Sequence, residues 1–235
     1  MGNLSFQLQK PDLLAVPIAT LLREAIFDGV LRPGDRLVER QLASQWNVSR
    51  APLREAIEQL TAEGLLVRSP HRGASVRELS ERELNELFAV REMLEVNAMR
   101  IAVSVLADED LVRLQDLVDR AKMDVKTKNL RDFRVAGLAF HDELVRLSKN
   151  ATLIEIYDGV KLKFRRYQLL LASLPDLPKS SALEHENILT ALRDRDADLA
   201  GKLLAEHLAH LVRRFAENGR DYFSPNGRPS TIDQR

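Results

Sequence analysis

The sequence predicts a mainly α protein, with a winged helix-turn-helix at the N-terminal end and an antiparallel all-α helical bundle behind it. Three observations carry that expectation. Near the start, short helical runs are separated by turn residues and followed by one stretch of strand formers. After Ser80 apolar residues recur at helical spacing to about residue 218, with only short breaks. The breaks are brief enough to force neighbouring helices to run antiparallel. The expected division is a helical module with a terminal hairpin over residues 11–78, a bundle over 79–218 and a disordered polar tail over 219–235.

The elements follow in order. The first ten or so residues are polar and are expected to fray. Pro17 suits a first helical turn, and Ile18, Leu21, Leu22, Ala25 and Ile26 repeat at helical spacing until Gly29. The stretch "LRPGDRL" reads as a turn, because Pro33-Gly34 cannot extend a helix. A short helix is expected over about 39–46, and Asn47-Val48 breaks it. Ser49 is a good N-cap and Pro52 is tolerated in the next first turn. That third helix puts Leu53, Ile57 and Leu60 inward and stops near Gly64. Leu66, Val67 and Val76 flank a turn-rich tip at 69–73, which predicts a hairpin. Ser80-x-x-Glu83 is a capping box. Helices are then expected over about 81–106, 108–127, 130–149, 152–173, 180–194 and 196–218.

Composition bounds the function. The 235 residues are 45% hydrophobic, enough for a full core, and 35 basic residues balance 35 acidic ones. A neutral total argues against indiscriminate coating of nucleic acid and leaves room for a local basic face. Cysteine is absent, which excludes disulfides and thiolate metal sites and fits a reducing compartment. The N-terminus lacks a basic segment followed by a long apolar one, so no signal peptide is expected. No stretch approaches the roughly 20 apolar residues of a membrane helix. A cytoplasmic protein without a membrane partner is expected.

A short helix, a tight turn and a second helix present the start of the second helix to the DNA major groove. Arg50 and Arg54 are four apart and share a face. Each can grip guanine O6 and N7. Ser49 suits a phosphate, and Arg40 in the preceding helix can brace the backbone. His71 and Arg72 at the hairpin tip would reach the backbone or minor groove. The competing assignment is a solvated face in which the two arginines pair with Glu55 or Glu58.

The longer string "GVLRPGDRLVERQLASQWNVSRAPLREAIEQLTAEGLLVRSPHRGASV" resembles the winged helix-turn-helix of the GntR family of bacterial transcription regulators. The matching pieces are G-x-L-x-P-G-x-x-L, then E-x-x-L-A, then V-S-R-x-P-x-R-E-A, then E-G-L and the wing. The resemblance implies that Arg40, Ser49, Arg50, Pro52 and Arg54 contact double-stranded operator DNA, with His71, Arg72 and Gly73 as the wing. Ala51 stands where a threonine is usual, which removes one hydroxyl.

The bundle holds four of the five histidines. Periodicity puts His141 with Phe133, Gly137, Phe140 and Leu144, His185 with Ile188, Leu189 and Leu192, and His207 with Ala200, Leu204 and Leu211. His210 falls on a flank with Leu203 and Glu206. Three inward histidines on three helices suit zinc, nickel, copper or iron, or else are core residues with ordinary hydrogen-bond partners. Arg91 and Glu95 lie on the apolar seam of the long helix. They are expected either to pair with each other or to free Arg91 for a ligand carboxylate. Tyr157, Phe164 and Gln168 share a stripe that lines the same cavity or belongs to the core.

The pieces "VREMLEVNAMRIA", "FHDELVRLSKN" and "EHENILTALRDRDADLAGKLLAEHL" resemble the FCD ligand-binding domain of the FadR-like branch of that family. The resemblance implies an effector-binding and dimerising domain with a divalent metal, zinc or nickel, on His141, His185 and His207. Metal-containing members carry an aspartate four residues before the first histidine. Gly137 stands there, so water, the ligand's own carboxylate or a metal-free pocket are the alternatives. The expected function is a DNA-binding regulator acting as a homodimer, a repressor, controlled by a small carboxylate through Arg91 and the histidines. Two alternatives stand beside it: a metal-dependent enzyme using the three histidines, and a regulator whose bundle only dimerises. No inward Glu, Asp or Lys sits at a spacing that marks a general base, so no catalytic residue is expected.

Overall fold

The computed structural model describes residues 14–69 and 73–218. The frayed start, the wing-tip residues His71 and Arg72 and the disordered tail expected over 219–235 lie outside the described residues. The chain divides into two compact units, Met1–Glu78 and Leu79–Arg235.

The first unit contains α1 (Ala15–Phe27), β1 (Arg36–Leu37), α2 (Glu39–Trp46), α3 (Arg50–Ala62), β2 (Leu66–Ser69) and β3 (Gly73–Val76). Leu53, Ala56, Ile57 and Leu60 of α3 are fully buried, and α1 packs against them with Ile18, Ala19, Leu22 and Ile26. Burying each large side chain contributes about 1.5–3 kcal/mol. Leu21, part of the same apolar repeat, is exposed. Between α2 and α3, Asn47 takes a left-handed conformation (φ 52°), which its short polar side chain tolerates. The hairpin pairs Leu66 with Val76 and Ser69 with Gly73. Gly73 sits at the tip with φ +76°, where a side chain would be strained. The "LRPGDRL" turn also contains a strand: Arg36 pairs with Ser75 and Leu37 with Ala74, giving the sheet order β1-β3-β2.

The second unit is built of α4 (Glu81–Val103), α5 (Asp108–Thr127), α6 (Leu130–Leu147), α7 (Ala151–Ser173), α8 (Leu177–Arg193) and α9 (Ala197–Asn218). α4 lies against α6, α7 and α9, and α8 lies against α5 and α9. The core carries Leu84, Phe88, Met99, Phe140, Phe164, Leu189, Leu204 and Phe215. Asn129 and Asn150 accept hydrogen bonds from the third residue of α6 and α7, as N-caps do. The helix expected from residue 180 begins at Leu177, with Pro178 in its first turn.

The capping box at Ser80 is only half formed. Ser80 Oγ accepts from Glu83 N–H, but the Glu83 side chain does not return. The Tyr167 hydroxyl from α7 takes that place. It accepts from Ser80 N–H at 3.2 Å and lies 3.0 Å from both Ser80 O and Glu83 Oε2. Arg166 Nη2 holds the other Glu83 oxygen at 2.8 Å. Burial pushes the Tyr167 hydroxyl up to about 12, so it stays protonated and donates.

Candidate functional site

Two groups of side chains stand out, one in each unit. In the first, Arg40 on α2 and Ser49, Arg50 and Arg54 at the start of α3 are all exposed. Ser49 is the N-cap by backbone, yet its side chain makes no capping bond, which leaves the hydroxyl available. No described residue forms a hydrogen bond or ion pair with the side chains of Arg40, Arg50 or Arg54. The pairing that would make them a solvated face is absent among the described residues, since Glu58 lies 3.6 Å from Arg68 instead. Pro52 is buried beside Leu53. It sets the backbone of the first turn and offers no exposed face. Gly73 is exposed at the hairpin tip.

In the bundle, α6, α8 and α9 bring His141, His185 and His207 together. All three are at least 97% buried. His185 Nε2 lies 3.2 Å from His141 Nε2 and 3.3 Å from His207 Nε2. The ring of His185 stacks on Phe140 at 4.4 Å. Burial, joined by Arg91 and the neighbouring imidazoles, pushes His141 and His185 far below the usual imidazole range. Burial also lowers His207, against the pull of Glu184. The three rings are therefore neutral at neutral pH.

Their outer nitrogens fix which edge faces inward. His141 Nδ1 lies 2.7 Å from Glu95 Oε2, and His207 Nδ1 lies 2.6 Å from Glu184 Oε2. Burial alone would raise Glu184, but hydrogen bonds from His207 and His210 hold it below the usual carboxylate range. Burial pushes Glu95 up, opposed by the Arg91 guanidinium 2.5 Å away. Glu95 keeps Arg91 Nε on one oxygen and His141 Nδ1 on the other. Each carboxylate thus accepts an Nδ1–H, leaving a bare Nε2 on His141 and on His207. Both face His185 Nε2, which has at most one hydrogen to give. His185 Nδ1 is buried without a partner. No arrangement of protons satisfies this group by itself, whereas one cation satisfies three converging nitrogen lone pairs. Carboxylates behind metal-ligating histidines are the common outer support of such centres. Their ligand atoms lie within 4.8 Å of one another, as a shared ion requires.

A cavity of about 50 Å³ opens on this group, lined by Arg91, Arg134, Gly137, Gln168, Ser181 and the three histidines among others. Arg91 forms the expected pair with Glu95 through its Nε, while its Nη2 is buried with no partner. Phe88 and Phe164 flank its guanidinium, at 5.3 and 4.9 Å from their centroids. Gln168 lines the cavity. Tyr157 does not, and hydrogen-bonds Asp142 instead. Glu184 carried no sequence signal: it orients His207 and also takes His210 Nδ1 at 2.5 Å, a role visible only once α8 and α9 are packed.

Known proteins agree with this division. The family of "Bacterial regulatory proteins, gntR family" matches residues 14–76, and the FCD domain matches residues 86–210. The chain is 26% identical to the HTH-type transcriptional repressor RspR of Escherichia coli K12, covering 88% of this chain and 92% of that one. It is 32% identical to the Nta operon transcriptional regulator of Aminobacter aminovorans, covering 78% and 84%. Its fold resembles E. coli McbR/YncC with a TM-score of 0.74 at 23% identity, over 87% of this chain and 97% of that one. No described helix is long and apolar enough to cross a membrane.

Proposed function

Because this chain belongs to the GntR family of bacterial regulators and carries an FCD domain behind its winged module, we propose that it is a cytoplasmic repressor. In this proposal it acts as a two-fold dimer that a small carboxylate releases from its operator. The chain is a sequence-specific DNA-binding transcriptional regulator and not an enzyme. On the DNA side, Arg50 and Arg54 read base edges, Arg40 and Ser49 hold phosphates, and Gly73 shapes the wing that carries His71 and Arg72. Pro52 supports the first turn. A dimer presents two such modules to a pseudo-palindromic site.

On the control side, the cavity is the effector site. The Nε2 atoms of His141, His185 and His207 would hold a divalent cation, zinc or nickel, as imidazole donors prefer. Bound there, the cation supplies a positive centre that attracts a carboxylate. Arg91 adds its unpartnered Nη2 to the same anion. The effector acts by binding the DNA-incompetent arrangement of the dimer more tightly than the competent one.

One observation carries this proposal: three buried imidazole nitrogens converge beside an unpartnered guanidinium nitrogen in one cavity. A thermal-shift screen of small carboxylates, with and without zinc or nickel, tests it. A rise in melting temperature that disappears in both His185→Ala and Arg91→Met is expected. A rise that survives both substitutions would place the ligand elsewhere.

A further inference from the structure

The donor set of the cavity has a gap in its charge. All three histidines are neutral donors, and the lining contains two cationic residues, Arg91 and Arg134, but no carboxylate. The nearest acids are already committed. Glu95 gives Oε1 to Arg91 and Oε2 to His141, and Glu184 gives Oε1 to His210 and Oε2 to His207. Asp142 takes the Tyr157 hydroxyl on Oδ1 and lies 3.5 Å from Lys161 through Oδ2. A dication on the three histidines would therefore have no anion among the residues that line its cavity, which leaves its charge less compensated than a carboxylate ligand would.

Space for that anion exists at one place. Gly137, one turn before His141 on α6, lines the cavity. A Cβ built there would meet only His185 Cε1 within 4 Å, at 3.8 Å, so the backbone leaves an open position beside the histidine cluster. The unpartnered Nη2 of Arg91 belongs to the same lining.

Resting on the metal and effector sites proposed above, we infer that the ligand supplies the acid this chain lacks, so that metal and carboxylate bind as obligate partners. The carboxylate enters over Gly137, neutralises the cation and accepts from Arg91. Each partner then raises the affinity of the other by the same factor, as linkage requires. The cavity volume has room for about four water-sized groups. That size matches the four heavy atoms of acetate, and the open side of the cavity leaves room for the slightly longer pyruvate or lactate. The cell's supply of such an acid, rather than of metal, would then set how much of the regulator is loaded.

The test measures zinc affinity of the full-length protein by competition with a chromogenic chelator, in buffer free of carboxylates and again with saturating acetate, pyruvate or lactate. Wild type is expected to bind zinc at least tenfold more tightly with one of these acids present. Gly137→Asp is expected to bind zinc tightly without any acid and to show less than twofold coupling. Gly137→Asn, the neutral isostere, is expected to stay weak without acid, which separates charge from bulk. Zinc that binds wild type tightly and equally with and without every acid overturns this inference while leaving the three-histidine site standing. If no zinc binds under any condition, the site itself fails and the inference with it. Should Gly137→Asp not fold, the wild-type coupling alone decides.

Discussion

The surroundings of single residues predict what their loss does. Arg54 is exposed and no described residue pairs with it. Arg54→Ala is therefore expected to leave the melting temperature unchanged and to weaken operator binding by about tenfold to a hundredfold, since a bidentate guanine contact is worth about 1–3 kcal/mol. Glu95 is the opposite case. It is buried between Arg91 and His141, so Glu95→Ala strands a buried guanidinium and should cost about 3–5 kcal/mol in chemical denaturation. The histidines make the metal-free protein acid-sensitive. Their folded values lie below the unfolded value of about 6.5, so the unfolded chain binds more protons as the pH falls. Their contribution is complete above that pH and declines below it, by up to about 1.4 kcal/mol per histidine per pH unit. Melting of chelator-treated protein between pH 7.5 and 5 measures this, and a flat profile contradicts neutral buried imidazoles. The inward placement of the three histidines was legible in the sequence because each shares a stripe with leucines or aromatics. Their carboxylate supports were less so. Glu95 showed on the seam of α4, but Glu184 lies beside His185 and acts on α9, a relation no single-helix pattern expresses.

At the scale of elements, periodicity located every helix to within a few residues, and the exceptions have local causes. β1 is two residues long, too short to show alternation, and its partners Ala74 and Ser75 are remote in sequence. The start of α8 was placed late because Pro178 reads as a breaker, although a first turn accepts it. The start of α4 shows the same limit. Ser80-x-x-Glu83 announces a helix, but the tertiary partner Tyr167 displaces the glutamate from its capping role. Tyr167→Phe leaves Ser80 N–H without that acceptor; Ser80 is exposed, so water replaces it and the expected cost is about 0.5–1.5 kcal/mol, that of one ordinary hydrogen bond. Faster amide exchange at Ser80, with the α6 amides unchanged, is the expected signature. The same helix α7 also places Gln168 in the cavity and Phe164 against Arg91, so the cavity lining and the α4 cap share one element.

For the whole molecule, the order of winged module and bundle was legible because one string changes texture from short helices and a hairpin to long amphipathic helices at Ser80. What the cavity binds was not legible, because it depends on which side chains from α4, α6, α7, α8 and α9 meet. In the proposed mechanism a small carboxylate in the bundle controls DNA binding by the winged module. Fluorescence anisotropy on a labelled duplex selected from a random library tests it most directly, with the carboxylate titrated into the protein–DNA complex in the presence of zinc. A complex of two chains per duplex is expected, with anisotropy that falls to the free-DNA value as the acid is added, and no fall for His185→Ala. Anisotropy that stays high across the whole carboxylate panel, or that falls equally in His185→Ala, would contradict it.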